Sequence, residues 1–286
     1  MTAHPLAGAD LGTRTVSYDE RDAIVYALAV GAQASELDLV WEQRLRVLPT
    51  FALTLAQWAP DVLAGRGAWD VSTALHGSQR LRVLRPLPRA GEITMSARVA
   101  DVWDKGTSRA AAAIFDVEVE SDHFLATWSI FAPGRGGFSA GPPASRGVAA
   151  GGGERGPSLP KAAEAEPDVE TELATFATQA ALYRLTGDRH LIHIDPDAAA
   201  AIGQPRPILH GLCTLAAASL RVATAVGAHP ADLTELSGRF AAPVLPGQDL
   251  DLALWRAEGG TAFRARHEGT DVLTDGFARF TPSRQR

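Results

Sequence analysis

Pro207-Ile208-Leu209-His210-Gly211-Leu212-Cys213-Thr214-Leu215-Ala216-Ala217-Ala218 opens a run that carries no charge until Arg221. A helix laid on a surface keeps a polar stripe, so a run that is apolar nearly all round predicts a helix buried inside a domain. The segment before it, Gly203-Gln204-Pro205-Arg206-Pro207, cannot stay helical, because proline lacks a donor and restricts the residue that precedes it. The buried helix therefore starts afresh, with Gly211 in its first turn. The first N–H groups of a helix have no acceptor within it and the dipole adds positive potential there, so an oxyanion developing near Gly211 would be stabilised. Glycine also lets a bulky acyl group approach closely.

Upstream lies Tyr183-Arg184-Leu185-Thr186-Gly187-Asp188-Arg189-His190-Leu191-Ile192-His193. Residues 178–185 read as a short helix of good formers, and Gly187 sits where a residue at positive φ would stop it. Were the helix to continue, Asp188 and His193 would point in different directions, since neighbours on one face lie three or four apart. A turn can bring them together. Asp195-Pro196 suits an N-cap followed by proline at the first helical position, which predicts a second helix over 196–202 and a reactive loop held between two helices. A carboxylate, imidazoles and a bare backbone donor gathered there could hold a water and polarise a carbonyl at neutral pH. Each residue also has a plain structural use: Gly211 can relieve packing, His210 can be a satisfied core histidine, and Asp188 can cap local N–H groups.

The same unit occurs twice. Tyr26-Ala27-Leu28-Ala29-Val30-Gly31 parallels Tyr183-Arg184-Leu185-Thr186-Gly187, and Pro86-Leu87-Pro88-Arg89-Ala90-Gly91-Glu92 parallels Pro243-Val244-Leu245-Pro246-Gly247-Gln248-Asp249, at nearly the same offset. The first copy has Ala32-Gln33 after its glycine and Pro49-Thr50 in place of His210-Gly211. It lacks acid, base and glycine donor, which predicts one active site per chain. Short alternating runs follow the helices at 93–102, 110–120 and 124–132 in the first copy. In the second they fall at 233–241, 250–257, 262–268 and 272–280. A buried helix followed by consecutive antiparallel strands implies an α+β layer fold in which the sheet wraps the helix. The segment 134–167 is rich in Gly, Pro, Ala and Ser, with Gly151-Gly152-Gly153 near its middle, and reads as a linker. The organisation expected is a first repeat at 1–133, the linker, and a catalytic repeat at 168–286.

These residues resemble the signature of the MaoC-like (R)-specific type 2 enoyl-CoA hydratases, in which a Tyr, a Ser/Thr-Gly-Asp, an Asn-Pro and a His follow in order. Tyr183, Thr186-Gly187-Asp188, His193-Ile194-Asp195-Pro196 and Pro207 to Thr214 carry the match. In the first half it runs through Val47-Leu48-Pro49-Thr50, Leu75-His76-Gly77-Ser78-Gln79, Pro86 to Gly91 and Asp104-Lys105-Gly106. The resemblance implies a double hot-dog fold whose second repeat holds the catalytic Asp188 and His193 and whose first accommodates the acyl tail. It implies reversible hydration of a trans-2-enoyl-CoA to the (3R)-hydroxyacyl-CoA, with Gly211 as the oxyanion donor, and a homodimer. One departure stands at the centre: where the family has Asn-Pro, this chain has His190-Leu191. Histidine can donate a hydrogen bond but is larger and titratable. Dehydration of acyl-carrier-protein or polyketide intermediates, thioester hydrolysis on the same fold and non-catalytic thioester binding stay open as alternatives.

Composition narrows the partners. A net charge of −6 across 286 residues argues against a general nucleic-acid surface. Coenzyme A enters only as part of the substrate, with no separate cofactor, and its phosphates need only a few local cations; Arg189, Arg206 and Lys105 are candidates, with His190 as a further substrate contact. The eight histidines show no zinc-site spacing, so no metal is expected. No run is long and apolar enough to predict a membrane span. The single cysteine, Cys213, cannot form an intrachain disulfide and reads as a small apolar filler. The absence of paired cysteines points to the cytoplasm.

Overall fold

The computed structural model describes residues 4–106, 111–139 and 165–281. The Gly151-Gly152-Gly153 centre of the expected linker lies outside them. Ten described strands form one antiparallel sheet: β1 (Asp10–Tyr18), β2 (Leu75–Val83), β3 (Gly91–Asp104), β4 (Ala113–Glu120), β5 (Phe124–Ala132), β6 (Val169–Ala174), β7 (Leu233–Phe240), β8 (Asp249–Ala257), β9 (Gly260–His267) and β10 (Thr270–Phe280). Their order is β1-β3-β4-β5-β2-β7-β10-β9-β8-β6. Read outward from the centre, the two halves match strand for strand, which is the internal repeat made visible. The halves join where β2 pairs with β7, Ser78 to Arg82 against Arg239 to Glu235.

Alternation decides which face each strand buries. In β4, Ala113, Phe115, Val117 and Val119 are buried while the residues between them stay half-exposed. Those inward faces wrap the helices. The described α-helices are α1 (Glu20–Ala29), α2 (Leu37–Val40), α3 (Phe51–Leu55), α4 (Trp58–Gly65), α5 (Gln179–Tyr183), α6 (Pro196–Ala201) and α7 (Gly211–Ala225). Every residue of α7 from Leu212 to Leu220 is buried, as its uncharged, mostly apolar sequence requires. Each leucine so buried is worth about 1.5–3 kcal/mol against exposure. The result is a double hot-dog.

The first repeat departs from the expectation of a long buried helix in each copy. Its central helix is split into α3 and α4. Pro60 gives the reason: it has no N–H to offer the carbonyl of Ala56, and its ring would clash with that carbonyl in a continuous helix. The start of the expected linker is also more fixed than its composition suggests. Asp104 accepts N–H bonds from Gly137 at 2.8 Å and Ser139 at 2.7 Å, and the Ser139 hydroxyl at 2.6 Å.

Candidate active site

The local chain behaves as its residue types dictate. α5 ends at Tyr183, a 3-10 turn covers Arg184–Thr186, and Gly187 follows at φ 156°. A Cβ on Gly187 would stand 2.9 Å from Thr54 Cγ2, so the turn needs glycine for conformation and for space. A second 3-10 turn covers Leu191–His193. Asp195 then caps α6 through the Asp197 N–H, with Pro196 at the first position.

This bend does what the spacing asked of it. Asp188, His193 and His210 each offer one side-chain donor atom, and these atoms all lie within 4.8 Å of one another. His193 Nδ1 lies 2.8 Å from the Ile208 carbonyl, which can only accept, so that nitrogen carries the proton and Nε2 is left bare. His210 Nε2 lies 3.1 Å from the Asp188 backbone carbonyl and by the same logic is the protonated nitrogen. The two imidazoles stack at 3.6 Å between centroids with 23° between their planes. Burial lowers the His193 pKa below its ordinary 6.5, against the opposing pull of Asp188, so the ring is neutral at neutral pH and its bare nitrogen is an acceptor.

Gly211 is the first residue of α7 and directly follows His210. Its N–H is among those with no acceptor inside the helix. A Cβ there would sit 3.0 Å from the Phe240 ring, so glycine is what makes room for that ring against the helix start. Asp188, His193 and the start of α7 thus lie close together, at the seam of the two repeats.

The remaining sequence candidates fall around this cluster or outside it. His190 is exposed and caps the second 3-10 turn: its Nδ1 accepts the Ile192 N–H at 3.4 Å, and its own N–H donates to Asp188 Oδ1 at 3.1 Å. Arg189 and Arg206 are exposed on the segments that flank the bend. Lys105 is half-buried at the β3 end of the β3–β4 connection, its N–H bonded to the Ala112 carbonyl at 2.9 Å. Cys213 is fully buried, its thiol 3.4 Å from the Ala29 carbonyl, and burial pushes its pKa up, so it is no nucleophile.

Two groups were not singled out from sequence. His76, on β2, packs against Phe240 at 4.7 Å between centroids, and burial lowers its pKa to about 4. Asp61, on α4, has a carboxyl raised by desolvation and then by the nearby charge of Asp188. Both come from the first repeat, and no local spacing in the second points to them.

Asp188, His193 and His210 are also the donor types a metal uses. With the two rings stacked nearly parallel, however, their in-plane lone pairs do not converge on a single ion at about 2.0–2.1 Å, and one ring would have to turn first. No described helix is long and apolar enough to cross a membrane.

The fold is thus a double hot-dog with a carboxylate and two imidazoles gathered beside the amino end of its buried helix. The sequence matches the MaoC like domain over residues 158–276 and the MFE-2 hydratase 2 N-terminal domain over residues 16–134. It is 36% identical to the 3-hydroxyacyl-thioester dehydratase Y of Mycobacterium tuberculosis, covering 91% of each chain. It is 33% identical to the peroxisomal enoyl-CoA hydratase 2 of Arabidopsis thaliana, covering 84% of this chain and 82% of that one. Its fold is similar to the crystal structure of a MaoC-like dehydratase from Phytophthora capsici, with a TM-score of 0.81, 24% identity and 97% of each chain covered. The chain belongs to the MaoC-like, hydratase 2 family.

Proposed function

We propose that this protein is a hydro-lyase that adds water reversibly to a trans-2-enoyl-CoA, giving the (3R)-hydroxyacyl-CoA. The observation that carries the reading is that a carboxylate oxygen of Asp188 and a ring nitrogen of neutral His193 lie within 4.8 Å of each other beside the first turn of α7, with Nδ1 of that ring occupied by the Ile208 carbonyl. Both groups accept hydrogen bonds, so together they hold the two hydrogens of one water and aim its oxygen. As that oxygen bonds to the β-carbon and the double-bond electrons move toward the thioester oxygen, one of the acceptors takes a proton from the water, and the same group returns that proton to the α-carbon, so the H and the OH added both come from one water and the side chain ends as it began. Negative charge gathers meanwhile on the thioester oxygen, where the Gly211 N–H stabilises it.

Arg189 and Arg206 are assigned to the CoA phosphates on their exposure beside the bend, with Lys105 as a third cation and His190 as a contact at the rim. The first repeat, 1–133, receives the acyl tail, and the second, 168–286, does the chemistry. The assembly is a homodimer, and the free, buried Cys213 suits the reducing cytoplasm. Neither nucleic acid nor membrane is a partner in this reading.

The test is to follow crotonyl-CoA with the purified protein. Enoyl absorbance falls without release of free thiol, and chiral analysis finds the (3R) product. Thiol release would make the protein a thioesterase, and saturable binding without turnover would make it a carrier.

A further inference from the structure

The mechanism above gives His210 no task, yet this ring touches every part of the site. It is 1% exposed. Its Nε2–H donates to the Asp188 carbonyl at 3.1 Å, its face covers His193 at 3.6 Å, and Tyr183 packs against it at 4.7 Å. It is also the N-cap of α7: its carbonyl accepts the Thr214 N–H at 3.1 Å and the Thr214 hydroxyl at 3.2 Å, which sets the direction of the chain entering Gly211.

We infer that His210 is a positioning residue that locks Asp188, His193 and the Gly211 N–H in register, acting through its one N–H and its ring face. The inference rests on the proposed roles of those three residues. The alternative is that His210 merely fills space. Against it stands the other ring nitrogen, Nδ1, which is buried without a hydrogen-bond partner among the described residues. An unpaired buried acceptor is costly, and phenylalanine would fill the same volume and keep the stack without it. What phenylalanine lacks is the N–H on Asp188. Burial, then the neighbouring His193, lower the His210 pKa to about 3, so the ring stays neutral and keeps a single proton, on the nitrogen facing Asp188.

The experiment compares kcat and KM for crotonyl-CoA hydration in His210→Phe and His210→Gln, with far-UV circular dichroism to confirm folding. A small misplacement of catalytic groups costs up to roughly a hundredfold in rate, so His210→Phe is expected to lose about ten- to a hundredfold in kcat with KM little changed. His210→Gln places an amide N–H where Nε2 stands and recovers most of that loss. Should the phenylalanine variant not fold, His210→Asn, whose amide stops at the Nδ1 position, takes its place with the same expected loss. Wild-type kcat in the phenylalanine or asparagine variant overturns the inference, as does a folded glutamine variant that is equally impaired. Asp188→Asn is run alongside. If it is inactive while His210→Phe is fully active, the positioning role alone fails; if Asp188→Asn is itself active, the reading of the site fails with it.

Discussion

His190 stands where the family pattern has asparagine, and its part in the fold is one that asparagine also performs. At φ −58° and ψ 135° it caps a 3-10 turn by accepting the Ile192 N–H on Nδ1, and an asparagine side-chain oxygen makes the same local bond. His190→Asn is therefore expected to keep its stability, and to keep turnover within about threefold. His190→Ala removes the cap and is expected to cost about 1 kcal/mol in a denaturation curve. A large loss of stability in the asparagine variant would contradict this account of the substitution. At this scale the sequence is a good guide to where Asp188, His193 and Gly211 lie in the fold, because the bend and the helix start that carry them are encoded in Gly187, Pro205 and Pro207. It is a poor guide to the tie between His210 and the Asp188 carbonyl, which spans two separate segments and involves a backbone group that no residue type announces.

The elements that build the site are set by where the chain is forbidden to continue. Gly187 ends α5 at φ 156° with Thr54 of α3 close against it. Gly187→Ala is expected to cost on the order of 1–3 kcal/mol from backbone strain and to lower hydration activity as well, since the strain sits next to Asp188. Thermal unfolding and turnover of the one variant check both, and a fully stable, fully active variant would refute the account of the turn. The strands show why some elements were readable and others not. β5 coincides with its predicted bounds, Phe124–Ala132, because alternate residues are buried along its whole length. β1 and β6 were missed because they are the sheet's outer strands: β6 buries only Leu173, so its sequence carries almost no alternation. β2 was missed although it lies at the centre, since Ser78, Gln79, Arg80 and Arg82 sit along the seam with β7 and mask its apolar residues. The split between α3 and α4 is set by Pro60, a single residue inside a mostly apolar run.

At the scale of the whole molecule, the two repeats are not independent units beside one another. β2 pairs with β7, Thr54 packs on Gly187, His76 packs on Phe240, and Tyr26 lies 5.9 Å from Tyr183. The site is thus backed by the first repeat, although the residues proposed to do chemistry come from the second. This seam also makes stability depend on pH. The folded pKa of His76 is lowered to about 4 and that of His210 to about 3, and His193 is lowered too, all by burial. Unfolding returns each to about 6.5, so below that pH the unfolded chain binds more protons than the native one. Their contribution is complete above about pH 6.5 and is lost as pH falls toward the folded values. The thermal midpoint is expected to be level above about pH 7 and to fall steadily from about pH 6.5 to 4; a midpoint unchanged across that interval would contradict the burial of neutral rings. The most direct test of the central claim, that Asp188 and His193 grip the same water, is a double-mutant cycle on crotonyl-CoA hydration. Asp188→Asn and His193→Ala are each expected to lose at least about a hundredfold in kcat while folded, and the double variant to be little worse than the poorer single one, because residues acting as a unit are not additive. Losses that multiply, or near wild-type turnover in either single variant, would contradict it.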